Sequence, residues 1–429
     1  MRKVAVGAGL LCVPTPGSAQ DTEQLAVQWL TALSNGRWAE AAALVAETVP
    51  PERMGAAQLQ RIWAQLEDGA GRLRGVRLDR IVQQDTLRVV QLLGDFEQRQ
   101  LLLRVVLVPS GKVAGFSVAP ATAPARVPPY ADTTRLRQEP VTIGAEPWQL
   151  PGVLALPNAE RKHPVIVLVH GSGPHDRDET FGPNRPFRDL ALGLASRGIA
   201  VLRYDKRTLV HAARLGRNVT VEQEVIQDAL AAIRAARAHP AIDPARVYLL
   251  GHSLGAQLAP EIAARDTAIA GVILLAAPAR LVSELMAEQF TYLGTLPQNA
   301  GEAAQAQLRT AHEALRRYHE GALPDTAAIF GVRVAYLRDL DARNAVAAAG
   351  RLRVPLLVLQ GERDYQVTME DFGRWRAAFA DRPTVTLRSF PALNHLFMEG
   401  SGAPNPAEYS VAGHVAQEVI DAIALWLRR

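Results

Sequence analysis

Val247-Tyr248-Leu249-Leu250-Gly251-His252-Ser253-Leu254-Gly255 reads as a strand that runs straight into a tight turn. The run Val247 to Leu250 is short and apolar, as suits a strand buried on both faces, and the residues from Leu254 to Ala264 repeat apolar positions at helical spacing. Ser253 therefore stands between a strand and a helix. A side chain on so sharp a turn is held in a strained backbone conformation, and flanking glycines relieve the crowding. Its hydroxyl is expected to project above a sheet, with the N-terminus of the following helix favouring negative charge beneath it. Ser253 is the candidate nucleophile.

The same alternation extends outward in both directions. Val165 to Val169, Ile199 to Tyr204, Gly271 to Leu275, Leu356 to Gln360 and Val385 to Phe390 are further strand candidates. Helical spacing falls between and after them, over Phe187 to Ser196, Val221 to His239, Met369 to Phe379 and Ala407 to Leu427. Strand and helix in alternation predict an α/β domain over residues 136–429, with a mainly parallel sheet covered on both faces. The stretch 278–350 carries helical periodicity and no good strand, which predicts an inserted helical cap.

Serine is a weak nucleophile by itself, so a base and an orienting acid are needed. Gly361-Glu362-Arg363-Asp364 follows one strand and Pro391-Ala392-Leu393-Asn394-His395 follows the last. Ser253, Asp364 and His395 would then share the carboxyl ends of the strands, where open α/β sheets place their sites. Glu362 is the rival acid, and His414, in the C-terminal helical segment, the rival base. Developing negative charge needs backbone donors, and the N–H groups of Ser172, in Val169-His170-Gly171-Ser172-Gly173, and of Leu254 are the expected oxyanion pair. His170 ends a buried strand and reads as structural.

Residues 140–429 resemble the α/β-hydrolase superfamily, and the run His170-Gly171-Ser172-Gly173-Pro174-His175-Asp176-Arg177-Asp178-Glu179 is similar to a signature of certain bacterial esterases. Those esterases often carry a small N-terminal domain as well. The resemblance implies that Ser253, Asp364 and His395 are nucleophile, acid and base, and Tyr204-Asp205-Lys206-Arg207 also fits it. Thr208 and Ala256 depart from the glycines usual there, which bears on pocket shape rather than on reacting atoms. Asp176-Arg177-Asp178 is expected to brace the oxyanion loop through salt bridges.

The rest of the chain adds context. Helical spacing followed by alternating strands predicts a small α+β domain over 20–119, and a Pro/Ala-rich tether over 120–135 joins it to the catalytic domain. Arg2 and Lys3, the apolar run Val4 to Val13 and the small residues Gly17-Ser18-Ala19 predict a signal peptide over 1–19 and hence export to periplasm or medium. It contains Cys12, the single cysteine of the chain. The 429 residues are 48% hydrophobic and 21% charged with a formal net charge of +4, which excludes a disordered chain and predicts no nucleic-acid partner. Lysine occurs only at Lys3, Lys112, Lys162 and Lys206 among 47 basic residues. No run is long enough to span a membrane in the mature chain. No His-Glu-x-x-His, paired cysteines or P-loop is found, so neither metal nor cofactor is expected. The function expected is a serine carboxylesterase acting on small-molecule esters with short-to-medium acyl chains. A serine peptidase on short peptides and a non-catalytic binding module on the same scaffold are the alternatives.

Overall fold

The structure is a computed structural model that describes residues 19–84, 86–120, 126–216 and 218–428. The expected signal peptide, but for Ala19, and residues 121–125 of the expected tether lie outside the described residues. The chain divides into two compact units between Ala123 and Pro124.

In the first unit the helices Ala19–Ser34, Trp38–Ala43, Pro51–Met54 and Ala56–Ala70 precede an antiparallel meander of β1 (Leu73–Gln84), β2 (Leu87–Phe96), β3 (Gln100–Leu107) and β4 (Val113–Pro120). Helical spacing puts Trp29, Leu33, Leu59 and Trp63 into one core with Leu92, Leu103 and Val105 from the strands. The buried Trp29 indole N–H donates to the Ala41 carbonyl at 3.0 Å, so burial leaves no orphaned donor there.

The second unit is built on β5 (Leu136–Ile143), β6 (Leu150–Pro157), β7 (His163–Val169), β8 (Ala200–Tyr204), β9 (Ile242–His252), β10 (Gly271–Leu275), a small hairpin of β11 (Ala328–Ile329) and β12 (Val332–Arg333), β13 (Leu356–Gly361) and β14 (Val385–Phe390). All but the hairpin form one eight-stranded sheet in the order β14-β13-β10-β9-β7-β8-β6-β5. The strands from β14 to β8 pair in parallel, and β6 and β5 add antiparallel. Alternate residues of β7 feed two cores. Val165 and Val167 pack with the helices Gln227–Ala238 and Leu254–Arg265, and Ile166 and Leu168 with Pro186–Ala195 and Gln417–Trp426.

Three expectations need correction. Residues 126–135, expected within the linker, belong to the second unit: the Tyr130 hydroxyl donates to the Val415 carbonyl at 2.7 Å, and the Asp132 amide donates to Ser196 Oγ at 3.0 Å. A tyrosine whose ring is half-buried and whose hydroxyl is satisfied holds this segment against the second unit. The C-terminal helix starts at Gln417, not Ala407. Upstream of it, Gly413 N–H donates to Asn184 Oδ1 (2.9 Å) and Val415 N–H to Asp189 Oδ2 (3.1 Å), so side chains capture amides that a helix would use. The cap comprises Val282–Thr295, Glu302–His319, the hairpin and Val334–Asp341 around Leu315, Tyr318, Ile329 and Leu337. The next helix, Ala345–Gly350, belongs instead to the main core through Ala345 and Ala349. Among the described residues no helix is long and apolar enough to cross a membrane.

Candidate active site

Ser253 is half-buried at the end of β9 with φ +54° and ψ −118°, a backbone conformation that costs a non-glycine residue free energy of the order of 1 kcal/mol or more. The glycines around it are there for close approach. A Cβ on Gly251 would stand 2.2 Å from the Gly255 carbonyl oxygen, and one on Gly255 would stand 2.1 Å from the Val169 oxygen. The turn is tied down by the Ser253 amide, which donates to the Leu275 carbonyl of β10 at 2.9 Å.

Asp364 follows β13 and His395 follows β14, and the structure brings them together. His395 Nδ1 donates to Asp364 Oδ2 at 2.7 Å, with both side chains buried. Asp364 Oδ1 accepts the amides of Gln366 (2.8 Å) and Val367 (3.0 Å), so the carboxylate is held by its own loop. Asn394 Oδ1 likewise accepts the amides of Leu396 and Met398, at 3.0 and 3.2 Å, and fixes the histidine loop. With Nδ1 committed as donor, Nε2 is the ring nitrogen left to accept a proton. The serine turn and the histidine loop meet through the residue before the serine: His252 Nε2 donates to the His395 carbonyl at 2.9 Å, and the two rings lie 4.8 Å apart. The rivals stand elsewhere. Glu362 is exposed and accepts the Ser389 hydroxyl at 2.8 Å. His414 lies in the loop before the last helix, not within a helix, with Nδ1 3.1 Å from Asp189 Oδ2.

The loop after β7 passes against the serine, since a Cβ on Gly171 would be 3.4 Å from Ser253 Cβ. Gly171 N–H donates to Glu179 Oε1 at 2.6 Å, and the Ser172 carbonyl accepts from His175 Nε2 at 2.6 Å. Among the described residues, no protein acceptor is recorded for the N–H of Ser172 or of Leu254. The loop is braced from outside: Arg177 grips Asp205 through two bonds of 2.9 and 2.7 Å, and Arg203 donates to Asp178 Oδ1 at 2.8 Å. Asp176 Oδ1 accepts the amides of Asp178 (3.2 Å) and Thr180 (3.0 Å). His170 donates to the Asp176 carbonyl at 3.1 Å, and burial pushes its pKa down to about 3, which keeps it neutral.

Sequence reasoning missed one buried pair. Glu179, at φ +51°, is fully buried, and its Oε2 lies 3.0 Å from His252 Nδ1. Burial opposes charge on Glu179, but the His252 imidazole overcomes this and draws the carboxyl down to about 2; burial likewise opposes charge on His252, and Glu179 together with the His395 carbonyl raises it. Glu179 was visible in the sequence as the last residue of the loop motif, but nothing local tied it to His252. The depressed carboxyl stabilises the fold above its ordinary value of 4.5 and loses that contribution as pH falls toward 2. The raised imidazole stabilises below 6.5 and loses that contribution as pH rises through its folded value. Glu179→Gln is therefore expected to cost about 3 kcal/mol near pH 5.5, the cost of breaking a buried pair, and clearly less at pH 3. Thermal unfolding of both proteins across that range checks this, and a deficit independent of pH would contradict it.

Residues 166–410 match the Alpha/beta hydrolase family. Esterase EstD of Thermotoga maritima is 38% identical over 371 residues, which cover 86% of each chain. Among solved structures, the esterase domain of a Rhodothermus marinus protein is 19% identical with a TM-score of 0.43, covering 68% of this chain and 98% of that one. Est1E from Butyrivibrio proteoclasticus is 18% identical with a TM-score of 0.44, covering 67% and 98%. With the family matched over more than half its length and a relative aligned over most of it, this chain belongs to the alpha/beta hydrolase family.

Proposed function

We propose that this protein is a serine esterase that cleaves short-to-medium acyl esters through an acyl-enzyme on Ser253. The observation that carries the proposal is the buried His395–Asp364 hydrogen bond of 2.7 Å, one ring contact away from the strained serine turn. The 38% identity to a protein named an esterase supports it. His395 Nε2 removes the hydroxyl proton as Ser253 Oγ attacks the ester carbonyl, and Asp364 holds the tautomer and stabilises the imidazolium. The Ser172 and Leu254 amides receive the charge that develops on the carbonyl oxygen. The alcohol leaves with the proton from His395, and water repeats the cycle on the acyl-enzyme.

A chain of aromatic contacts supports the acyl-ester reading. Tyr292 of the cap stacks on Tyr365 (5.4 Å between ring centroids), which neighbours Tyr409 (6.3 Å), which in turn neighbours Phe181 (6.3 Å). These half-buried rings connect the cap, the acid loop and the oxyanion loop, and an aromatic surface there favours an acyl chain over a charged peptide terminus. A p-nitrophenyl butyrate is expected to be cleaved at least ~10²-fold faster, as kcat/KM, than an aminoacyl p-nitroanilide, because only the amide needs well-timed protonation of a poor leaving group. Comparable values on the two substrates would move the peptidase reading into first place. The proposal includes export, which rests on the charged, apolar and small-residue order of residues 1–19.

A further inference from the structure

The Gly171–Ser172 peptide is held by more than its own turn. Lys206, just after β8, places Nζ 2.9 Å from the Gly171 carbonyl oxygen and 2.5 Å from Glu224 Oε1. Its side chain is 3% exposed and that of Glu224 10%. The Lys206 amide also donates to the His175 carbonyl at 3.0 Å, so both ends of the residue grip the oxyanion loop.

Composition singles this lysine out. The chain uses arginine for nearly all of its 47 basic residues and keeps four lysines. Lys162 is exposed and Lys112 partly so, whereas Lys206 is buried. A guanidinium is a planar fork that suits several acceptors in one plane, whereas an ammonium is a compact point charge. One carbonyl and one carboxylate converging on a buried point is a site for the second.

In a trans peptide the C=O and the N–H point in opposite directions from one rigid plane. A cation on the Gly171 oxygen thus fixes where the Ser172 N–H points. It also draws electron density toward that oxygen and makes the N–H a stronger donor. The neighbouring polar groups are already engaged, Gly171 N–H by Glu179 and the Ser172 carbonyl by His175. The Ser172 N–H is what remains, on a loop whose glycine lies against Ser253.

We propose that Lys206 is a positioning residue for the hydrolysis: through the Gly171 carbonyl it aims and polarises the Ser172 N–H toward the oxygen of the tetrahedral intermediate. This rests on the esterase reading through Ser253.

Lys206→Met by itself strands the Glu224 carboxylate in the interior, so the test adds Lys206→Met/Glu224→Gln, which leaves neither charge unpaired. Each is assayed on p-nitrophenyl acetate and for inhibition by an aryl trifluoromethyl ketone, which forms a tetrahedral adduct with serine, and by the parent methyl ketone, which binds without reacting. The double variant is expected to lose about 10- to 100-fold in kcat with KM within about threefold, less than the ~10²–10³ of deleting an oxyanion donor outright. Affinity for the trifluoromethyl ketone falls by the same factor and that for the methyl ketone stays. Lys206→Arg, which keeps the charge but moves it, falls between with the same selectivity, and it carries the test by itself if the methionine variants do not fold. Unchanged kcat, or equal loss of affinity for both ketones as a merely structural role would give, overturns the proposal. A wild-type enzyme that turns over no ester and takes no fluorophosphonate on Ser253 overturns the esterase reading itself, which is a separate result.

Discussion

Ser253→Ala is expected to fold as the wild type does and to lose ester turnover by ~10⁴-fold or more, because nucleophile, base and acid act as a unit. Folding is expected to survive because the substitution removes only the half-buried hydroxyl and leaves the Ser253 amide bonded to Leu275. The strain at φ +54° persists in alanine, so the turn keeps its shape at similar cost. What disappears is the hydroxyl on the turn between β9 and the helix after it, a turn that the His252–His395 bond ties to the histidine loop. Steady-state assay of the purified variant beside far-UV circular dichroism checks both halves, and activity above about a tenth of wild type would place the nucleophile elsewhere.

Asp364→Asn is expected to be nearly as damaging, by ~10³–10⁴-fold in kcat. Asp364 uses one carboxylate oxygen to accept two backbone amides and the other to accept His395 Nδ1–H. An asparagine that keeps its oxygen toward the amides must turn its NH₂ toward His395. The histidine then accepts at Nδ1 and carries its proton on Nε2, the nitrogen that should receive the serine proton. Glu362→Gln is the control, since Glu362 is exposed and spends its carboxylate on Ser389. Kinetics of the two variants side by side decide the matter. A larger loss from Glu362→Gln than from Asp364→Asn would reverse the assignment of the acid.

How much of this was legible in the sequence depends on what each element buries. The parallel strands were readable because both faces of β7, β8 and β10 are buried, which writes a continuous apolar run. β5 was not, since it is an edge strand with most residues at least partly exposed and a proline within it, Pro140. The last helix starts later than its sequence suggests because Ala407, Val411 and Val415 mimic helical spacing, while the amides there are claimed by Asn184 and Asp189 from far along the chain. The candidate site divides in the same way. Ser253, Asp364 and His395 could be located because each lies within five residues of the carboxyl end of a strand. The Glu179–His252 pair could not, because Glu179 comes from the loop after β7 and His252 from the last position of β9, and they meet only through the fold. Lys206 left a faint mark, as a rare lysine among arginines, but its contact with Gly171 is a tertiary fact.

Covalent labelling decides whether the Ser253 hydroxyl is the nucleophile that His395 activates. Wild-type protein is treated with a fluorophosphonate and digested, and the modified residue is located by mass spectrometry, with Ser253→Ala treated in parallel. A single adduct on Ser253, with none on the variant, is the predicted result. An adduct on another residue, or equal labelling of the variant, would place the nucleophile elsewhere.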